Sequence, residues 1–157
     1  MRTNMLDENA VIKELYIDCR PETLFPFFTD PQKMAKWMGS QILLEPKLGG
    51  AMRIDFNGTD MVAGHYVEVK PYERVVFTWG WIGSDSCPPG SSKVEVQLHK
   101  QDNGTLLTLT HSGLPVSQRP THLAGWNYYI ARLQLVLLGM KPGPDTFAIS
   151  NPDNKEK

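Results

Sequence analysis

The sequence predicts an α+β domain in which a curved antiparallel sheet of about six or seven strands wraps around one long C-terminal helix. Three observations carry that expectation. From about residue 40 to residue 111 the chain is a succession of short β-prone runs, separated mainly by tight-turn signals. One amphipathic stretch, 121–140, is long enough to cover the apolar face of such a sheet. Helical signals gather at the two ends of the strand run instead of alternating with it, which is the α+β pattern.

The elements follow in order. "AVIKELYID" (10–18) is rich in β-formers and partly alternates, a first strand. Two short helices come next. In "RPETLFPFFTD" (20–30), Pro21 suits a first helical turn and Pro26 keeps the helix short. In "DPQKMAKWM" (30–38), Asp30 is placed to cap, Pro31 takes the first helical position, and Met34, Trp37 and Met38 share a face. Gly39 ends it. Strands are then expected at 40–46, 49–56, 61–70, 74–82, 92–100 and 105–111, with "NGTD" (57–60) as a hairpin turn and "GSDSCPPGS" (83–91) as a longer loop. In the helix 121–140, Leu123, Trp126, Ile130, Leu133 and Leu137 recur at helical spacing. "KPGPD" stops it, and 141–157 reads as a loosely docked tail. The 157 residues suit one domain, with its core at about 10–138.

Bulk properties exclude several classes. A net charge of −1 with no basic block gives no nucleic-acid face. The apolar run from Ile130 to Met140 is broken by Arg132 and Gln134, so no membrane span is expected. The N-terminus lacks the apolar core of a signal peptide. Cys19 and Cys87 are far apart and outside any metal spacing, so reduced thiols and a cytoplasmic location are the expectation. The histidines show no H-x-H or H-x₃-H spacing, and neither metal nor cofactor is predicted.

Strand parity sorts the candidate site residues. Phe77, Trp79 and Trp81 share one face of their strand. Leu107, Leu109 and His111 share another, which should look toward the helix. On 61–70, His65 lies with Met61, Ala63, Val67 and Val69, opposite Val62, Gly64 and Tyr66; both sides carry apolar groups, so its orientation stays open. Trp126 and Leu133 should face the sheet, with Tyr129 at the edge of that face. His99 falls on a polar strand face and His122 in the first turn of the helix, where a cation is unfavourable. Core packing alone would account for the aromatic set, because aromatics dominate cores in any domain.

"FTDPQKMAKWMG" (28–39), "LGGAMRIDF" (48–56), "GHYVEVKPYERVVFTW" (64–79), "LTLTHSGLP" (107–115) and "GWNYYIARL" (125–133) together resemble the helix-grip (SRPBCC) superfamily. That superfamily includes START lipid-binding domains, birch-pollen-allergen-like proteins and polyketide cyclases. Within it the chain is most similar to the branch named for the activator of the ninety-kilodalton heat-shock protein's ATPase. The resemblance implies a cavity between the concave sheet and the long helix. A small hydrophobic or aromatic molecule would bind there, with Phe56, Phe77, Trp79, Trp81, Trp126 and Leu133 as walls and His65, His111 and Tyr129 as polar contacts. Two other functions stay open: a cyclase- or hydrolase-like enzyme using a cavity histidine, and a chaperone-adaptor module. A homodimer is compatible with any of them. The resemblance also makes His111 part of the fold signature, where fastening the scaffold competes with orienting a ligand and with catalysis.

Overall fold

The computed structural model describes residues 3–6 and 10–147. Its strands are β1 (Thr3–Leu6), β2 (Ala10–Ile17), β3 (Gln41–Leu44), β4 (Ala51–Asp55), β5 (Met61–Lys70), β6 (Arg74–Trp79), β7 (Ser92–Gln101) and β8 (Gly104–Ser112). All neighbours pair antiparallel, in the order β1-β2-β8-β7-β6-β5-β4-β3. β2 therefore closes against the last strand, β8, and the sheet curls around α3 (Arg119–Leu137). The expected architecture holds. One edge strand, β1, joins it from a segment whose sequence carries no strand pattern of its own.

The short helices also form where the caps place them. α1 (Pro21–Leu24) runs into a 3₁₀ turn at Phe25–Phe28, with Pro26 forcing the change of helix type. α2 (Pro31–Met34) is capped by Asp30, whose side chain accepts from the Gln32 amide at 2.9 Å. Tyr66 Oη ties this segment to the sheet by donating to the Phe28 carbonyl, and Trp37 Nε1 donates within the segment to the Phe27 carbonyl, both at 3.1 Å.

Alternation decides the layers. On β8 and β7, Leu107, Leu109, Val94 and Val96 are fully buried toward α3, and each such side chain is worth about 1.5–3 kcal/mol of burial. The outer face carries charge: Arg74 bridges Glu68 at 2.8 Å and Glu95 at 2.5 Å. Glu14, on the outer face of β2, accepts from Thr108 Oγ1 at 3.0 Å. The same parity exposes His65, because the β5 residues that turn inward are Val62 and Tyr66. The expectation that His65 reaches the space beside α3 is thereby corrected. Its ring meets Thr78 on the outer face, Nδ1 to Oγ1 at 3.4 Å.

Part of the segment after α3 is docked. Residues 144–147 fold back on the helix as a strap: the Phe147 ring stacks on Tyr128 at 5.1 Å, the Thr146 amide donates to Tyr128 Oη, and Tyr129 Oη donates to Asp145 Oδ2 at 2.5 Å. The rest of the expected tail, 148–157, lies outside the described residues. Replacing Asp145 with Ala should free the strap while leaving the core intact. Amide exchange at Thr146 and Phe147 should then accelerate, with a loss of only about 1 kcal/mol in global stability. A large fall in thermal midpoint would show that the strap belongs to the cooperative core.

Candidate functional site

The concave side of the sheet and the first half of α3 enclose a cluster of indoles and imidazoles. β6 supplies Trp79. Trp81 follows after Gly80 and bridges to Val62 of β5. β8 supplies His111, and α3 supplies His122, Trp126 and Tyr129, which recur at spacings of four and three and so share a helix face. All six are buried. The rings meet mostly edge to face: Trp79 lies 5.3 Å from His111 and from Trp126, and the two imidazoles lie 5.3 Å apart. Phe56 completes the wall, 5.7 Å from both Trp81 and Tyr129.

Hydrogen bonding assigns each imidazole a single tautomer. An indole N–H can only donate. Trp126 Nε1 donates to His111 Nδ1 at 3.1 Å, so the His111 proton is on Nε2, which meets Ser92 Oγ at 2.9 Å. Ser92 in turn donates to the Trp79 carbonyl at 2.8 Å. Trp81 Nε1 donates to His122 Nε2 at 3.2 Å, so the His122 proton is on Nδ1, directed to the Gln118 carbonyl at 2.8 Å. Both rings are neutral in this network. Burial lowers the pKa of His111 well below the ordinary histidine value, and the neighbouring His122 lowers it further. Burial also lowers that of His122, opposed in part by its bond to the Gln118 carbonyl.

Ser92 is thus a relay between β6 and β8. In Ser92→Ala both the His111 Nε2 proton and the Trp79 carbonyl lose a buried partner. The expected cost is about 1–3 kcal/mol, read as a lower urea midpoint at unchanged m-value. An unchanged midpoint would mean that water replaces the hydroxyl.

Beside the cluster is a small void of about 10 Å³, at the threshold for holding one water. Met38, Phe56 and Gly125 give it apolar walls; Trp79, His122, Trp126 and Tyr129 complete it. Trp79 is 1% exposed, and its Nε1 is the one buried side-chain nitrogen or oxygen without a hydrogen-bond partner among the described residues. The loop 83–91 packs against Gly80 and Trp81. The Trp81 amide bonds the Cys87 carbonyl at 2.7 Å, and a Cβ at Gly80 would fall 1.7 Å from the Pro88 carbonyl oxygen.

The structure therefore brings together Phe56, Trp79, Trp81, His111, Trp126 and Tyr129 of the expected set. Phe77 and Leu133 are fully buried core residues away from the void, with Phe77 against the Tyr66 ring at 6.0 Å. The Tyr129 hydroxyl does not enter the chamber as expected, because Asp145 takes it; burial first, and then that carboxylate, push its pKa up. His65 and His111 point to opposite faces of the sheet and do not converge on one pocket. His122 is the residue that sequence reasoning missed. Its signal was present: it sits one turn before Trp126 on the same helical face. Among the described residues no three of His, Cys, Asp and Glu gather as metal ligands, and no disulfide joins Cys19 to Cys87.

A curled antiparallel sheet gripping a C-terminal helix, with an aromatic chamber between them, defines the helix-grip class. The family model described as "Activator of Hsp90 ATPase homolog 1-like protein" matches residues 18–137, and the chain belongs to that family. An AHSA1-like protein from Rhizobium etli, solved in solution, is 38% identical over 100% of this chain and 99% of its own, with a TM-score of 0.70. An Hsp90 activator from Plasmodium falciparum is 25% identical, covering 83% of this chain and 96% of that one, with a TM-score of 0.69. A putative protein in the dynemicin biosynthetic locus is also 25% identical, with a TM-score of 0.74 over 86% of this chain; the match spans 49% of that protein's length. No curated protein sequence matches. No helix among the described residues is long and apolar enough to cross a membrane.

Proposed function

We propose that this chain binds a small hydrophobic or aromatic molecule in the chamber between sheet and α3. The observation that supports this most is a small void between sheet and α3 lined by Phe56, Trp79, Trp126 and Tyr129. Apolar burial, at about 25 cal/mol per Å², supplies the drive. The void is about 10 Å³ as it stands, so a ligand requires its walls to part. Among those walls, Tyr129 is held by Asp145. The dynemicin-locus relative is in keeping with small-molecule work, and the thiols with a reducing cytoplasm.

Native mass spectrometry of freshly purified protein tests the proposal and reads the oligomeric state, a homodimer being compatible with it. A co-purified small molecule, or saturable binding of a hydrophobic dye, is the expected result. A ligand-free spectrum together with no dye binding overturns it.

Two observations favour a chaperone-adaptor function instead: the interior is nearly filled, and the Plasmodium relative is described as an Hsp90 activator. That function requires this chain to stimulate the ATPase of an Hsp90 while its spectrum stays free of ligand. A catalytic histidine is disfavoured, since every ring nitrogen of His111 and His122 is already committed.

A further inference from the structure

We propose that the open edge of β3 pairs with β3 of a second copy of this chain, antiparallel about a two-fold axis at Leu43, so that one sheet runs across a homodimer. Such a dimer forms whether or not the chamber holds a ligand.

β3 is the last strand of the sheet and has a neighbour, β4, on one side only. Just past β3 the Glu45 amide donates to the Ala51 carbonyl at 2.9 Å. In an antiparallel ladder alternate residues turn their backbone groups to the same side. Gln41 and Leu43 therefore also bond toward β4, while the N–H and C=O of Ile42 and Leu44 point away from it. These outward groups meet no hydrogen-bond partner among the described residues. Exposed sheet edges are commonly blunted by lysine, proline or a bulge. Gln41–Leu44 carries none of these, and Leu43 stands 50% exposed on the outer face.

The edge is its own complement. With Leu43 opposite Leu43 of the second copy, Ile42 falls opposite Leu44 and the two exchange both hydrogen bonds; the symmetric pair does the same. Every outward group of the strand is then used. Other registers use the edge less well. Centring on Ile42 brings in the Ser40 amide, which already donates to the Asp55 carbonyl at 2.7 Å. Centring on Leu44 brings in Pro46, which has no N–H. In the Leu43 register the two Leu43 side chains meet on the outer face, and Ile42 packs on Leu44 on the inner face. Gln41 lies opposite Glu45, an amide donor against a carboxylate that keeps one oxygen on the Ala51 amide. Arg53, next to Leu43 on β4, sets a cation on the same face as that carboxylate. Gly39, at φ 84°, and Pro46 end the strand on either side. A longer strand from another protein thus gains no bond that a second copy lacks. The two-fold contact consumes this edge and closes.

A seam this short buries less than a standard interface of about 1,600 Å², so monomer and dimer exchange and concentration sets their ratio. Sedimentation equilibrium of the full chain, up to about 1 mM, should show a monomer–dimer equilibrium. Amide exchange at Ile42 and Leu44 should slow as concentration rises, while that of Leu43, bonded to β4, stays constant. Leu43→Lys sets two like charges directly opposite each other and should weaken the dimer by at least about 10-fold. Leu43→Cys should cross-link under mild oxidation, because a non-hydrogen-bonded antiparallel pair brings its Cα atoms to about 4.5 Å. Gln41→Cys, which faces Glu45 in this register, should cross-link no more than the native chain with its Cys19 and Cys87. Should the variants fail to fold, amide exchange in the native chain decides by itself. A monomer at every concentration, a dimer that leaves Ile42 and Leu44 exchange unchanged, or a dimer indifferent to Leu43→Lys overturns the proposal. None of these results bears on whether the chamber binds a ligand.

Discussion

Acidification through pH 6.5 should destabilise the protein steeply, without any carboxylate having to titrate. His111 and His122 are held neutral in the folded chain, and burial is the main cause for both. In the unfolded chain each takes up a proton near pH 6.5. Below that pH the unfolded state therefore binds more protons than the native state, and stability falls as pH falls. Above pH 6.5 both states are neutral at these rings and the contribution is flat. Each histidine adds a slope approaching about 1.4 kcal/mol per pH unit, so the pair approaches about 2.7. The slope persists down to the depressed native values. There is also a steric and electrostatic reason why the native state resists: a proton on His111 Nδ1 would confront the Trp126 N–H, and one on His122 Nε2 would confront the Trp81 N–H. Urea unfolding at steps between pH 7.5 and pH 5 checks this. Glutamine can both accept and donate, so His122→Gln should retain the two bonds and roughly halve the slope. A stability that is level from pH 7.5 to 5 would refute the neutral-pair assignment.

Truncating Trp126 should be the most damaging single substitution in the chamber. The indole is 3% exposed, packs at 5.3 Å against Trp79, and supplies the proton that defines the His111 tautomer. Trp126→Ala opens a cavity worth about 3–5 kcal/mol and strands His111 Nδ1 as a buried acceptor, for about 1–3 more. Domains of this kind have about 5–15 kcal/mol in total, so the variant should be unfolded or molten at 37 °C. Trp126→Phe separates the two terms, since it keeps most of the volume and removes the N–H. It should lose mainly the smaller amount, and the chemical shifts of His111 should show the altered bonding. A Trp126→Ala protein with a native thermal midpoint would mean that the chamber collapses at little cost.

Much of this was visible in the linear chain, for reasons particular elements make plain. The run "TLLTLTH" alternates strictly, so parity alone put His111 on the Leu107 and Leu109 face, and it is fully buried there. Asp30 before Pro31 announced a capped helix, and the Asp30 side chain makes that cap. Parity was silent on β5, where Met61, Ala63 and Val67 oppose Val62 and Tyr66 with apolar groups on both sides. The inward face was decided by the large Tyr66 reaching the Phe28 carbonyl and by Gly64 packing where a Cβ would fall 2.0 Å from the Thr78 carbonyl oxygen. His65 was therefore turned out by its neighbours' packing, which no period-two pattern encodes.

The amino-acid sequence by itself determined the order and type of the elements, the curved sheet around one helix, and the burial of His111, because these follow from local periodicity, caps and turns. The tertiary structure alone decided what His111 meets. His122 lies eleven residues away on a different element, and the two imidazoles come within 5.3 Å only once α3 docks. Docking also determined both tautomers, closed the chamber to about 10 Å³, and left Trp79 without an acceptor. Hydrogen-bond direction and residual volume are properties of surfaces in contact. They arise from the fit of helix to sheet, and local periodicity carries no record of that fit.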